Sequence, residues 1–163
     1  MNIIAQIKRL SGFAVRRTPF ALQKQIFERV VRQIFKEPLQ LGELDFLEGH
    51  TIKISVLDMR AAWVTGLRDG VLMLYPPDTQ ADAEISGNID EFVLLATGQE
   101  DPDTLFFQRR LNIEGSTSVS LAVKNVMDSI GPLALPAPLQ KLLLQLVNVS
   151  RAYSGDTTRS RPL

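Results

Sequence analysis

The sequence predicts an α+β fold: an α/β sandwich in which a mostly antiparallel twisted sheet carries helices packed on one face. Three observations carry this reading. Between residues 20 and 36 apolar side chains recur at steps of three and four, the period of a helix with one apolar side. From Leu44 onward the period falls to two, and Asp69-Gly70 separates two apolar runs as the pair a type I′ hairpin turn takes. The last third returns to the helical period. The order helix, helix, strands, helix, strand, helix, helix places helices over a sheet.

Each element has its own justification. Residues 2–15 put Ile3, Ile4, Ile7, Leu10 and Ala14 on one helical face. After Pro19 a second helix gathers Leu22, Ile26, Phe27, Val30, Val31, Ile34 and Phe35 on a single stripe. Leu44 and Phe46 alternate as the start of a strand, and "EGH" reads as a turn that leaves His50 in solvent. Ile52, Ile54 and Val56 alternate with Lys53 and Ser55. "AAWVTGLRDGVLMLY" is a hairpin, and "ADAEISG" adds a short strand. Asn88 followed by Glu91 has the spacing of a capping box for a helix that ends at Gly98. Asp101 and Asp103 flank Pro102 as helix or turn caps. Leu111 and Ile113 mark a last strand, and Gly115-Ser116-Thr117 turns it into a helix with Val119, Ala122, Val123, Val126, Met127 and Ile130 inward. "GPLALPAP" is a proline-broken linker, Pro138 fits the first turn of a final apolar helix, and the tail should be disordered. The expected division is 1–37 for the basic N-terminal helices, 38–131 for the core, 132–153 for the C-terminal helix and 154–163 for the tail.

Composition narrows function. The 163 residues include no cysteine and one histidine, so thiolate chemistry, Cys-ligated metals and disulfides are excluded. Any triad or His-based metal site must run through His50. No phosphate loop, no dinucleotide-binding glycine pattern and no metal-spaced cluster occurs. Ser116, Ser118 and Ser120 lack a base nearby in sequence. These observations argue against an enzyme and nominate no catalytic residue, metal or cofactor.

The formal net charge of zero is unevenly spread. Residues 1–36 hold eight Lys or Arg and one acid, a net of +7; residues 37–163 hold ten and seventeen, a net of −7. The cations are interleaved with Ile, Phe and Val, a pattern for an anionic membrane surface and not for a nucleic-acid backbone, which the acidic body would repel. Lys8, Arg9, Arg16 and Arg17 are the expected docking cations. No run reaches the roughly 20 apolar residues that cross a bilayer, and no secretory signal opens the chain, so the expected location is cytoplasmic, peripheral on the inner membrane.

One stretch carries more. "LFFQRRLNIEGSTSVSLAVKNVMDSI", residues 105–130, resembles the closing strand, turn and helix of the sterol-carrier-protein type-two-like lipid-binding domains. "DFLEGHTIKISVLD" is similar to the first strands of that family, and the passage from "AEISG" through "LNIEG" to its strand-helix-strand segment. The likeness covers roughly residues 38–130, and Phe106, Phe107, Gln108, Arg109, Arg110 and Leu111 point within the family to bacterial accessory factors of ubiquinone biosynthesis.

The resemblance implies a hydrophobic tunnel between sheet and helices and a non-enzymatic role in the oxygen-independent pathway. The implied ligands are isoprenoid quinone precursors or phospholipids, and the implied partners are hydroxylation proteins of the UbiU and UbiV type. The alternative is a protein-binding scaffold or peripheral adaptor with a vestigial cavity. Inward parity nominates as cavity lining Phe27, Val31, Ile54, Val56, Val64, Met73, Phe92, Leu95, Leu111, Ile113, Val123 and Met127. Of Arg109 and Arg110, either one greets an anionic headgroup at the cavity mouth, or one points to solvent and the other makes an ion pair at a strand edge. The last helix either caps the tunnel, dips into the membrane interface or simply packs.

Overall fold

The computed structural model describes residues 3–130, 132–133 and 135–155. The part of the expected disordered tail from residue 156 onward lies outside the described residues, as do the side chains of Ile3, Ile4, Ile7 and Lys8.

Helix α1 (Ile3–Arg17) and helix α2 (Phe20–Ile34) are separated at Pro19, whose extended backbone cannot continue a helix. The Gln23 side-chain amide donates to the carbonyl oxygens of Val15 and Thr18 and so ties α2 back to the end of α1. A short α3 (Lys36–Gln40) follows, with Pro38 buried. The expected strand at Leu44–Phe46 is instead a 3-10 turn, Asp45–Leu47, because Gly42 (φ +72°) reverses the chain and local carbonyls take up the backbone donors.

Five strands form one sheet: β1 (Thr51–Val56), β2 (Ala61–Arg68), β3 (Val71–Tyr75), β4 (Ala83–Gly87) and β5 (Leu111–Gly115). Their order is β3-β2-β1-β4-β5. Only the central β1–β4 pair is parallel; the other pairings are antiparallel. In the β2–β3 hairpin Asp69 and Gly70 both take positive φ, as a type I′ turn requires, and their backbone N–H groups donate to the Glu48 carboxylate at 3.0 and 3.4 Å.

Helix α4 (Ile89–Ala96) ends at Gly98 with φ +67°. Its start differs from the expected capping box. The Asn88 side chain makes no capping bond, and the Ile89 N–H donates to Asp58 Oδ1 at 3.0 Å. Glu91, the other half of the box, is drawn away to Arg110. Helix α5 (Pro102–Phe107) is capped by Asp101, which accepts from the Thr104 N–H at 2.9 Å, with Pro102 in the first turn. Helix α6 (Thr117–Ile130) lies against β4 and β5, and α7 (Ala137–Gly155) packs on α4, where Val147 joins Val93 and Leu94.

Candidate functional site

Strand register decides which side chains share a face. Across β1 and β2, Ile52 stands opposite Thr65 and Ile54 opposite Trp63; across β1 and β4, Ile52 stands beside Ala83 and Ile54 beside Ile85. These residues, with Leu67 and Leu72 from the hairpin, form the helix-covered face. The alternate residues Lys53, Ser55, Glu84, Asn112 and Glu114 form the opposite face, where Lys53 and Ser55 both bond Glu84.

On the covered face the apolar layer does not close. A part-enclosed cavity of ≈ 330 Å³ lies between the sheet and α2, α4 and α6. Phe27 and Val31 on the inner side of α2, and Phe35 at its C-cap, repeat at i, i+4 and i+8 and supply one wall. Phe92, Leu95 and Ala96 of α4 and Val123, Val126 and Met127 of α6 supply the others, and the floor is Ile52, Ile54 and Ile85. The one hydroxyl in the lining, that of Thr65, donates to the Met73 carbonyl at 2.9 Å. A wall with its single polar side chain already satisfied can hold an apolar guest.

Of the residues nominated from sequence, Phe27, Val31, Ile54, Phe92, Leu95, Val123 and Met127 meet around this cavity. Val64 and Met73 do not: in register Val64 faces Lys53 and Tyr75, which puts it on the opposite face, and Met73 pairs with Gly66 on that same face. Val56, Leu111 and Ile113 are on the covered face but outside the cavity wall. Phe35 and Ile52 line the cavity although they were not nominated; their helical step from Val31 and strand parity with Ile54 were legible signals. Leu44, Phe46 and Leu47 reach the wall through the 3-10 turn, which the two-residue alternation concealed.

The single stripe expected on α2 is two columns. Phe27, Val31 and Phe35 look inward, while Leu22, Ile26 and Val30 are exposed.

The two arginines separate. Arg110 reaches Glu91 at 2.5 Å and also pairs with Glu100, clamping β5 to α4 and to the loop after it. Burial alone would weaken its hold on the proton, but the Glu100 and Glu91 carboxylates outweigh this and raise its pKa above the ordinary arginine value. Arg109 sits in a left-handed conformation, φ +56°, and is exposed, as is Phe107. Neither arginine lines the cavity. His50 stands just before the start of the central strand β1, half-exposed, with Nδ1 3.4 Å from Asp82 Oδ2. Arg9, Arg16 and Arg17 are exposed on α1, and Arg17 lies over the Phe13 ring at 4.7 Å. No helix among the described residues is long and apolar enough to cross a membrane.

Comparison with known proteins agrees with this geometry. The model of the SCP-2 sterol transfer family matches residues 27–128. The Escherichia coli K12 protein "Ubiquinone biosynthesis accessory factor UbiT" is 43% identical over 143 residues, 88% of this chain and 82% of its own. Human sterol carrier protein 2 is 31% identical over 67 residues, 40% of this chain and 12% of that protein. The solved structure of the ubiquinone synthesis protein UbiJ-SCP2 superposes with a TM-score of 0.53 at 15% identity, over 68% of this chain and 97% of that one, and so shares the fold. The α+β architecture, the apolar cavity and these matches lead to one conclusion: the chain belongs to the SCP-2 sterol transfer family.

Proposed function

We propose that the chain is a non-enzymatic, lipid-binding accessory factor of ubiquinone biosynthesis. In this reading it holds a prenylated quinone precursor or a phospholipid by its apolar chain. The observation that carries the reading is the cavity, whose walls are apolar apart from one satisfied threonine. Its volume falls at the lower end of the range of roughly 300–1,000 Å³ typical of ligand pockets, enough for a segment of an isoprenoid or acyl chain. The similarity to an accessory factor of that pathway supplies the biological setting.

A long prenyl tail is held in a bilayer by about 0.8 kcal/mol for each buried CH₂, so an enzyme working on the ring outside the membrane needs the tail sheathed. Apolar walls recover much of that transfer energy. The oxygen-independent branch of the pathway, hydroxylation partners of the UbiU and UbiV type, and reversible docking of the basic N-terminal helix on an anionic inner-membrane leaflet complete the proposal. Lys8, Arg9, Arg16 and Arg17 are the docking cations.

Organic extraction of the purified protein followed by mass spectrometry tests the reading. We expect a bound lipid, and a lower melting temperature after it is stripped that recovers when lipid is returned. No lipid, together with no melting shift on adding quinone precursors or phospholipids, overturns it. Blocking the cavity while pathway output survives assigns the chain to scaffolding instead.

A further inference from the structure

A second concave site lies away from the cavity, between α1 and the turn that joins β1 to β2. It is a groove of ≈ 580 Å³ lined by Gln6, Arg9, Leu10, Phe13, Arg16, Met59 and Arg60. Three arginines line it and no acid does. No ion pair is formed by Arg9, Arg16 or Arg60 among the described residues.

The arrangement is built from the backbone outward. Gly12 is buried, and a Cβ there would fall 1.8 Å from the Met59 carbonyl oxygen, so only glycine lets α1 rest directly on this turn. Arg9 and Arg16 stand three residues before and four after Gly12, on the helix face that meets the turn. The turn supplies Arg60 with φ +51°, a left-handed conformation that glycine adopts without penalty and arginine does not. The chain therefore keeps arginine at a strained backbone position on the same groove that Arg9 and Arg16 line. The groove's apolar edge is Leu10 and Phe13, 65% and 49% exposed.

We propose that this groove seats the phosphates of anionic phospholipids at the bilayer surface, with Leu10 and Phe13 entering the acyl region beside them. Guanidinium forks match phosphate oxygens bidentately, and the net charge of +7 over residues 1–36 selects an anionic leaflet. The proposal deepens the docking step above and does not depend on what fills the cavity. It adds Arg60, from a strand turn, to cations that otherwise all belong to α1.

The test uses the full chain and vesicles of phosphatidylcholine, with and without phosphatidylglycerol, at low salt. Wild type should bind the mixed vesicles and not the neutral ones. Arg60→Gly relieves the left-handed strain, so it should melt no lower than wild type yet bind mixed vesicles about fivefold more weakly. Arg9→Gln and Arg16→Gln should each weaken binding to a similar degree. Arg29→Gln and Arg32→Gln, which remove exposed charges of α2 outside the groove, should cost less. Undiminished binding by Arg60→Gly overturns the proposal, as does an equal loss from Arg29→Gln, which would indicate diffuse charge without a site. Inorganic phosphate at matched ionic strength should leave the melting temperature unchanged; a rise lost in Arg60→Gly would make the groove a free-phosphate site and overturn the membrane assignment. Lipid extracted from purified Arg60→Gly should stay at the wild-type level, so failure here leaves the cavity reading intact.

Discussion

Two ends of one sheet face behave differently. At one end Leu111 lies flat across Gly87, whose missing side chain makes the room: a Cβ there would come 2.5 Å from the Leu111 Cδ2. Val56 is buried at the same end, and α5 packs on β5 with Leu105 fully enclosed. At the other end Ile52, Ile54 and Ile85 point the same way from the same strands and meet a cavity. Buried aliphatic side chains stand at both ends, Val56 and Leu111 at one and Ile52 and Ile85 at the other. What differs is the cover: glycine and a short helix at the solid end, and the ring-bearing inner column of α2 with α4 and α6 at the hollow end. Room for a guest is thus a property of spacing between layers and not of hydrophobicity.

Truncation should separate the two ends most strongly. Leu105→Ala opens a void in tightly packed surroundings and should cost about 2–5 kcal/mol in urea unfolding. Met127→Ala, in the cavity wall, enlarges space that already exists and should cost only about 1–2 kcal/mol, the transfer share of a half-buried side chain. Equal costs would mean that the hollow end packs as tightly as the solid one.

Filling should come next. Gly87→Ala forces Leu111 off its seat and presses on the Arg110 carbonyl, 3.0 Å from the added carbon. We expect a loss of about 1–3 kcal/mol, with the lipid load unchanged because the solid end is not the binding end. A stable Gly87→Ala protein that loses its lipid would join the two ends into one site.

The smallest effect is expected at Asp82, which knits β1 and β4 at the hollow end. It accepts from the Thr51 N–H at 2.8 Å, and its own N–H donates to the Thr51 carbonyl. The bond from the Thr51 N–H, aided by His50, holds its carboxyl below the usual aspartate range against the opposing effect of burial. A depressed folded-state pKa gives stability that is present above the unfolded value of about 3.9 and lost as the pH falls through the lower folded value. Because the carboxylate is well exposed, solvent screens the interaction, and the gain should be only a few tenths of a kcal/mol. The stability gap between wild type and Asp82→Asn should therefore narrow as the pH falls from about 5 toward 3 in urea titrations. A gap that widens in acid would give the pairing the opposite sign.

Much of the architecture was legible because periodicity and turn chemistry are local. Asp69-Gly70, Gly98 and Asp101 each adopt the backbone role their residue types favour. The 3-10 turn at Asp45–Leu47 was not legible, because Leu44 and Phe46 present the same spacing in a strand and in that turn. Parity could sort side chains into two sets but could not say which set the helices cover, and it placed Val64 and Met73 on the wrong side. Nor could it see that Val56 and Leu111 belong to the solid end, since filling depends on glycine at position 87, across the sheet from Leu111. The groove at Arg60 was hidden for a similar reason: its three arginines come together only when Gly12 seats α1 on the turn.

Native mass spectrometry of the purified chain beside Ala96→Phe tests the central claim most directly. Ala96 lines the cavity, and the added ring occupies the guest's space without altering the sheet. Wild type should carry one lipid mass above its 18.2 kDa chain, and Ala96→Phe should be folded and bare. A bare wild type, or the same adduct on both proteins, would contradict the assignment of the cavity as the lipid site.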